Sequence, residues 1–566
     1  MNTHHLVKAF LVFTILMGCN YYCGAQQTAK WGDQGDGTFR NPVLPADYSD
    51  PDFIRVGNDY YGISSTLQES PGMIVIHSKD LVNWEIVGHV VNDISFLGDE
   101  LNWDKMLGYD QGIYAGSLRF HNNKYYVYFT TKKTGWWVAT ADRPQGPWTV
   151  VQMKDMEGKP LSGYGWDDNC PLWDDDGKAY IIASNFGKLE WCPRIFKMTE
   201  DGTQLLDGRI ADKSENSKYL DIIGGYITHP YRTSEANKMF KRNGYYYFYF
   251  SEVRKAYNLK PRIPVLLRSK NIYGPYELKE LLYSHGPAVD KEPNQGTIID
   301  SPDGKDWYFL THHGTGDFSG RFLSVLPVKW VNDWPQVGED TDHDGIGEMV
   351  WGPLPKLIAG DNHIKMQTSD EFSSSELGLQ WEWNHQPRAD KWSLTERPGF
   401  LRLKAFKPLE ADDFFKAGNT IGQRYYRSEK GIATLKMDIS GMKDGQEAGA
   451  VHYDAGKAYA SLGVIFTDGI KKLVYKQKLD KQPVVTTTGI TIPSKTNTIY
   501  LRTTVDFNGV AYFEYSFDNN KFEKLGGNSQ FTWAYYRGTN MGIYTYNNKD
   551  GGYVDIDWFH YQFANK

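Results

Sequence analysis

The chain repeats itself, and what it repeats is strand pairs. Five times a polar residue opens a short apolar run, a turn follows, and a strand rich in Tyr and Trp comes next. The opening runs are Asp50-Pro51-Asp52-Phe53-Ile54, Ala115-Gly116-Ser117-Leu118-Arg119-Phe120, Asp168-Asn169-Cys170-Pro171-Leu172-Trp173, Glu235-Ala236-Asn237-Lys238-Met239-Phe240 and Gln295-Gly296-Thr297-Ile298-Ile299-Asp300. They start at 50, 115, 168, 235 and 295, a spacing of 53 to 67 residues. Hairpin units at that period predict a five-bladed β-propeller, one four-stranded blade per unit with the first strand innermost. Inner strands share one axis, so the residues that open them meet in one cavity however far apart they lie in sequence. Three of the five openings are carboxylates: Asp50, Asp168 and Glu235.

Each unit also has a second half in which an alternating strand leads to a turn ending on an aromatic. Examples are Met73 to Trp84, Val138 to Trp148, Leu266 to Tyr276 and Phe322 to Trp334. The third unit is the least regular there. The pattern stops near Gly352-Pro353-Leu354-Pro355, and no helical periodicity of useful length occurs anywhere. Later apolar-alternating segments (Phe400–Leu403, Ile432–Met437, Leu462–Phe466, Ile499–Arg502, Ala511–Tyr515, Tyr553–Trp558) predict a β-sandwich. The expected layout is all-β: a leader over 1–25, an extension over 26–40, the propeller over 41–355, a linker over 356–369 and the sandwich over 370–566.

The leader has His4, His5 and Lys8 before the apolar run Ala9 to Met17, too short to span a bilayer, so it reads as an export signal. Two processing readings stand: a lipoprotein box, Leu16-Met17-Gly18-Cys19, that anchors the chain through Cys19, or cleavage after Ala25. Either places the protein outside a bacterial cytoplasm, in the periplasm or on the outer membrane, with lipid the sole membrane contact. Cys170 and Cys192 remain after the leader and read as buried free thiols rather than a disulfide, and no Cys/His cluster points to zinc. A net charge of −7 argues against nucleic acid as a partner.

Carboxylates in a pocket rich in aromatics are what glycoside hydrolysis needs. One, protonated, gives its proton to the leaving oxygen; another, ionised, activates water or attacks the anomeric carbon. A third nearby holds the acid protonated by like-charge repulsion. The plain alternative is that some of the 69 Asp and Glu residues begin strands by chance. Three falling on one repeat position makes that reading the weaker one.

The same residues carry a family resemblance. Asn41-Pro42-Val43-Leu44 with Tyr48-Ser49-Asp50-Pro51-Asp52, and Ser70-Pro71-Gly72 with His77-Ser78-Lys79-Asp80-Leu81-Val82-Asn83-Trp84, resemble the opening of glycoside hydrolase family 43. The resemblance spans about 41 to 350, and the tail resembles the concanavalin-like sandwich often attached to that family. It implies a five-bladed propeller and an inverting, single-displacement mechanism. Asp50 would be the general base, Glu235 the general acid and Asp168 the residue that tunes and orients the acid, with Asp167 the alternative to Asp168. Arg321, Gln295 and Tyr114 would line the sugar site. His312, with His313 beside it, matches an axial histidine that helps hold calcium or water in the channel. Two stretches depart from the family pattern: Tyr114-Ala115-Gly116-Ser117 in place of Trp-Ala-Pro-Asp, and Glu235-Ala236-Asn237 in place of Glu-Gly-Pro.

Asp340, Asp342 and Asp344, followed by Gly345, have the alternating oxygen ligands of a calcium loop but Trp351 at the twelfth position. An acidic surface turn is the alternative. The chemistry itself calls for no cofactor. The expected activity is exo-acting release of a terminal pentose from plant cell-wall polysaccharide such as arabinoxylan, arabinan or arabinosylated xyloglucan, with α-L-arabinofuranosidase first and β-xylosidase second. A catalytically inert glycan-binding propeller is the rival of another kind. Fructan hydrolases are a further rival, but their Glu-Cys-Pro is interrupted here by Trp191, in Glu190-Trp191-Cys192-Pro193.

Overall fold

The computed structural model describes residues 31–163, 165–185, 192–210, 222–228, 234–253, 262–283, 293–358, 360 and 364–564. The leader with Cys19, and Glu190-Trp191, lie outside them. Five four-stranded antiparallel sheets follow one another along the chain, each running from inner to outer strand in sequence order except for an inserted ladder in the third. Their inner strands are Asp52–Val56, Ser117–His121, Trp166–Trp173, Ser234–Arg242 and Gly296–Asp300. Each belongs to one repeat unit, and they contact one another around a common axis. The third blade completes its sheet only at Tyr226–Ile227, after the ladder of Gly208–Ile210 with Ile222–Gly224.

Strand alternation explains how the blades stack. Successive side chains point to opposite faces of a strand. In blade two, Val127 and Phe129 therefore pack with Ile63 and Val75 of blade one. Their neighbours Tyr126 and Tyr128 pack with Ile181 and Phe196 of blade three. The same rule joins blade three to four through Ile182 and Phe248, and four to five through Tyr249 and Phe309. The ring closes at Asn41, whose Nδ2 donates to the carbonyls of Val325 and Val350 (2.8 and 2.7 Å) and whose Oδ1 accepts from Val325 N–H (2.9 Å).

The C-terminal region is a sandwich of two large antiparallel sheets. One of them continues into the propeller: Trp383 and Asn384 pair with Ser70 and Glu69 of blade one. A single apolar core runs from Phe53, Tyr60 and Trp84 through Trp381 and Trp383 to Leu401, Leu435 and Ile556. Buried charge crosses the same junction. Arg537 of the sandwich pairs with Asp47 (3.0 Å) and Glu69 (2.6 Å), and Arg424 donates to the Asp47 carbonyl (2.7 Å). Both Cys170 and Cys192 are buried free thiols.

Candidate active site

The three carboxylates that open blades one, three and four line one cavity of about 250 Å³. The backbone is irregular at each of them. Register shifts mark bulges between Asp167 and Cys170 and between Glu235 and Lys238. Asp50, Asp168 and Ala236 all have left-handed backbone (φ 50°, 56° and 67°). A bulge bends the strand and re-aims a side chain that a regular ladder would send between blades. Left-handed conformation at a non-glycine residue costs about 1–3 kcal/mol and persists where the surroundings enforce it. Here they do: Asn237 Nδ2 donates to the Asp168 carbonyl (3.0 Å) and to Ser184 Oγ (3.0 Å), tying the two bulges together.

Each carboxylate has a different environment. Asp50 Oδ1 accepts from Arg321 Nη1 (2.5 Å) and Oδ2 from Ser65 Oγ (3.1 Å), so both carboxylate oxygens are held in place. Asp168 is 4% exposed and accepts from Ala236 N–H (2.8 Å) and Gln295 Nε2 (2.6 Å). Burial, then the charge of Glu235, push its carboxyl up to about 6 against the opposing pull of Lys238 and these two donors. Glu235 Oε1 meets Arg262 Nε and, at 3.4 Å, Asn294 Nδ2.

Asp167 is a fourth carboxylate on the cavity. It accepts from Thr130 Oγ1 and from Asp168 N–H (2.8 Å), and burial followed by the Asp168 charge raise it well above the usual carboxylate range. Asp167 and Asp168 thus both face the cavity, but only Asp168 is held by the strand that carries Glu235.

The remaining expected residues divide. Tyr114 lines the cavity, its hydroxyl anchored on the Asp110 carbonyl (2.9 Å). Arg321 lines it too, holding Asp50. Gln295 lines the cavity as expected, and its amide is also engaged within the protein: Nε2 donates to Asp168 and Oε1 accepts from Lys238 (3.2 Å). The calcium role expected of His312 does not fit. Its Nδ1 accepts from Asp50 N–H (2.7 Å), and burial, then Arg321, hold the imidazole well below its usual pKa. A neutral ring accepting at Nδ1 carries its proton on Nε2, which suits an acceptor such as water and not a cation. The neighbouring charges on Arg321, Arg262 and Lys238 point the same way. His313 donates to or accepts from Ser324 Oγ (2.7 Å). Asp340, Asp342 and Asp344 bring one oxygen each within 4.8 Å of one another, away from the cavity, and Asp340 Oδ1 is buried with no hydrogen-bond partner. Three hard oxygen donors fit a divalent cation.

One wall could not be read from the repeat, because it comes from the sandwich. Tyr536 lines the cavity, edge-to-face with Tyr114 (centroids 6.4 Å apart) and 5.7 Å from the Arg321 guanidinium. It sits on a two-residue turn between Ala534 and Arg537, immediately beside the buried Arg537 network.

Comparison with known proteins agrees with this geometry. The profile of Glycosyl hydrolases family 43 matches residues 39–335, and that of the Beta xylosidase C-terminal Concanavalin A-like domain matches 369–562. The chain is 38% identical over 578 residues to a beta-xylosidase of Formosa agariphila, covering 95% of this chain and 92% of that one. It is 32% identical to a putative beta-xylosidase of Xylanibacter ruminicola over 92% of this chain and 88% of that one. A solved family-43 glycoside hydrolase, engineered to display both endo-xylanase and exo-arabinofuranosidase activity, superposes with a TM-score of 0.77 at 26% identity, over 93% of this chain and 100% of that one. A propeller whose repeat gathers three acids on one cavity, these matches, and a concanavalin-like sandwich at the C-terminus together make the chain a member of glycosyl hydrolase family 43.

Proposed function

We propose that the protein is an exo-acting, inverting β-xylosidase that removes the terminal non-reducing xylose from xylo-oligosaccharides of plant hemicellulose. The observation that carries the reading is the convergence of Asp50, Asp168 and Glu235 on one cavity of about 250 Å³. Asp50, clamped by Arg321 and Ser65, takes a proton from water as that water attacks the anomeric carbon. Glu235 gives its proton to the departing glycosidic oxygen, and Asp168 opposes ionisation of Glu235 until that moment. Both proton transfers are made by side chains, so the reaction so written needs no cofactor. Tyr536, contributed by the sandwich, lines the cavity, and an added wall there favours a chain end over a chain interior.

The names of the two curated relatives, a beta-xylosidase and a putative beta-xylosidase, support taking xyloside as the first reading here, where the sequence reading put arabinofuranoside first. α-L-Arabinofuranosidase is the second reading, favoured by the exo-arabinofuranosidase activity of the engineered structural relative. Hydrolysis of nitrophenyl β-D-xyloside and α-L-arabinofuranoside by the wild type, Asp50→Asn and Glu235→Gln separates the cases. Hydrolysis surviving both substitutions refutes the assignment, and NMR of the first-formed anomer tests inversion.

Two further parts belong to this proposal. The leader directs export, followed either by lipidation at Cys19 or by cleavage after Ala25; radiolabelled palmitate that incorporates into the wild type and not into Cys19→Ala supports the anchor, and a mature chain beginning at Gln26 supports the cleavage. Asp340, Asp342 and Asp344 hold a structural calcium ion, and a melting temperature unmoved by millimolar calcium counts against it.

A further inference from the structure

Lys238 lies three residues after Glu235 on the inner strand of blade four, just past the bulge, and is 2% exposed. A buried ammonium normally sits against a carboxylate. Among the described residues none lies within the 4.0 Å of an ion pair. Its hydrogen bond goes instead to Gln295 Oε1 (3.2 Å), and Gln295 Nε2 donates to Asp168 Oδ1 (2.6 Å).

An ammonium only donates, whereas a glutamine amide has one accepting and one donating end. Lys238 therefore decides which way the amide faces: oxygen toward itself, NH₂ toward Asp168. Without it the amide is free to turn its oxygen onto the carboxylate, which then keeps an electrostatic repulsion or takes up a proton. The second donor, Ala236 N–H (2.8 Å), cannot turn, because it belongs to the bulge.

The charge of Glu235 acts on the Asp168 carboxyl, and both side chains line the same cavity. Only one arrangement is productive: Glu235 protonated and Asp168 ionised. We propose that Lys238 is a positioning residue that, through the Gln295 amide, keeps a hydrogen-bond donor on the Asp168 carboxylate and so keeps Asp168 in the form that supports Glu235 as general acid. The proposal rests on the assignment of Glu235 as general acid, and the test separates the two.

Acid catalysis matters in proportion to how poor the leaving group is. A glycosidic alcohol must be protonated as it departs, whereas a dinitrophenolate leaves almost unaided. Lys238→Met keeps the length and packing of the stem while removing the donor. Its kcat/KM is expected to fall about tenfold or more on xylobiose and less than about threefold on dinitrophenyl xyloside, a fraction of what general acid catalysis supplies. Gln295→Met should show the same split, and the double variant should lose no more than either single one. A purely structural role lowers both substrates alike, and that result overturns the proposal, as does full additivity in the double variant. Glu235→Gln is the control: if it too shows no split between leaving groups, the acid assignment itself is wrong. If it shows the split and Lys238→Met does not, only the role of Lys238 falls. Should Lys238→Met fail to fold, Lys238→Leu, which also removes the donor, is held to the same split.

Discussion

The loop that carries Tyr536 into the cavity is strained, and the strain makes a quantitative prediction. Ala534 and Arg537 exchange backbone hydrogen bonds (3.0 and 2.9 Å) across a two-residue turn, with φ of +45° at Tyr535 and +68° at Tyr536. Left-handed backbone at both central positions is the pattern of a type I′ turn, whose preferred pair is Asn-Gly. Two tyrosines there cost about 1–2 kcal/mol each. Their rings recover little by burial, being 40% and 46% exposed. Replacing both, as Tyr535→Asn with Tyr536→Gly, relieves the strain. Against that stand up to about 1 kcal/mol for the freer unfolded glycine and less than about 1 kcal/mol for the Lys457 contact over the Tyr535 ring. Loss of the Tyr536 contacts with Tyr114 and Arg321 costs about 1 kcal/mol more, so the expected net is a gain of up to about 1 kcal/mol, read as a higher urea midpoint. Activity moves the other way. Removing the Tyr536 ring takes one wall from the cavity, and about 1–2 kcal/mol of lost contact with the sugar is a fall of about 5- to 30-fold in kcat/KM on nitrophenyl xyloside, mostly in KM. Tyr535→Asn alone, which does not touch the cavity, should stabilise while leaving kcat/KM within about twofold. A double variant destabilised by more than about 1 kcal/mol, or one with unchanged kcat/KM, would refute the reasoning.

Three other outcomes follow from the same structure. A chain ending at residue 360 is expected to be insoluble or unfolded, because it strips Trp381, Trp383 and Leu435 from a shared core and leaves Asp47 and Glu69 without Arg537; a soluble fragment with native circular dichroism would contradict this. Because the folded Asp168 carboxyl is raised to about 6 from 3.8, the folded state binds more protons than the unfolded one in that window, so this group's contribution to stability is full below about pH 4 and is lost as pH rises through 6. Asp168→Asn should flatten the urea midpoint between pH 4 and 7, and an unchanged pH slope argues against the raised value. Arg321→Met should lower kcat/KM by about 2–3 kcal/mol, roughly 30- to 150-fold, since it leaves the partly buried Asp50 without its cation; Arg321→Lys should recover only part of the loss, because an ammonium lacks the fork.

The propeller was legible because each blade is encoded locally. The alternation that sends Val127 one way and Tyr128 the other is a property of one strand, so five copies of it announce five blades. The strands Lys430–Asp438, Tyr459–Thr467 and Tyr553–Ala564 declared themselves in the same way. Val485–Thr491, largely exposed on the sheet edge, and Gln446–Tyr453, buried along its whole length, lack that alternation and were not expected. In the site, Asp50, Asp168 and Glu235 stood at repeat positions, whereas Lys238, Arg262 and Asn294 carried no comparable mark.

What the chain's own order of residues determined, then, is whatever depends on neighbours along it: strand period, turn positions, the recurrence of the unit and the acids at its head. What only the tertiary structure decided depends on partners brought from elsewhere. The amide of Gln295 faces Asp168 because Lys238 stands behind it, and His312 cannot ligate a cation because the Asp50 N–H occupies its lone pair. Tyr536 reaches the cavity from more than two hundred residues downstream because Arg537 is locked to Asp47 and Glu69. Hydrogen-bond direction and charge pairing are set by distance in space, and no pattern along a single strand encodes them.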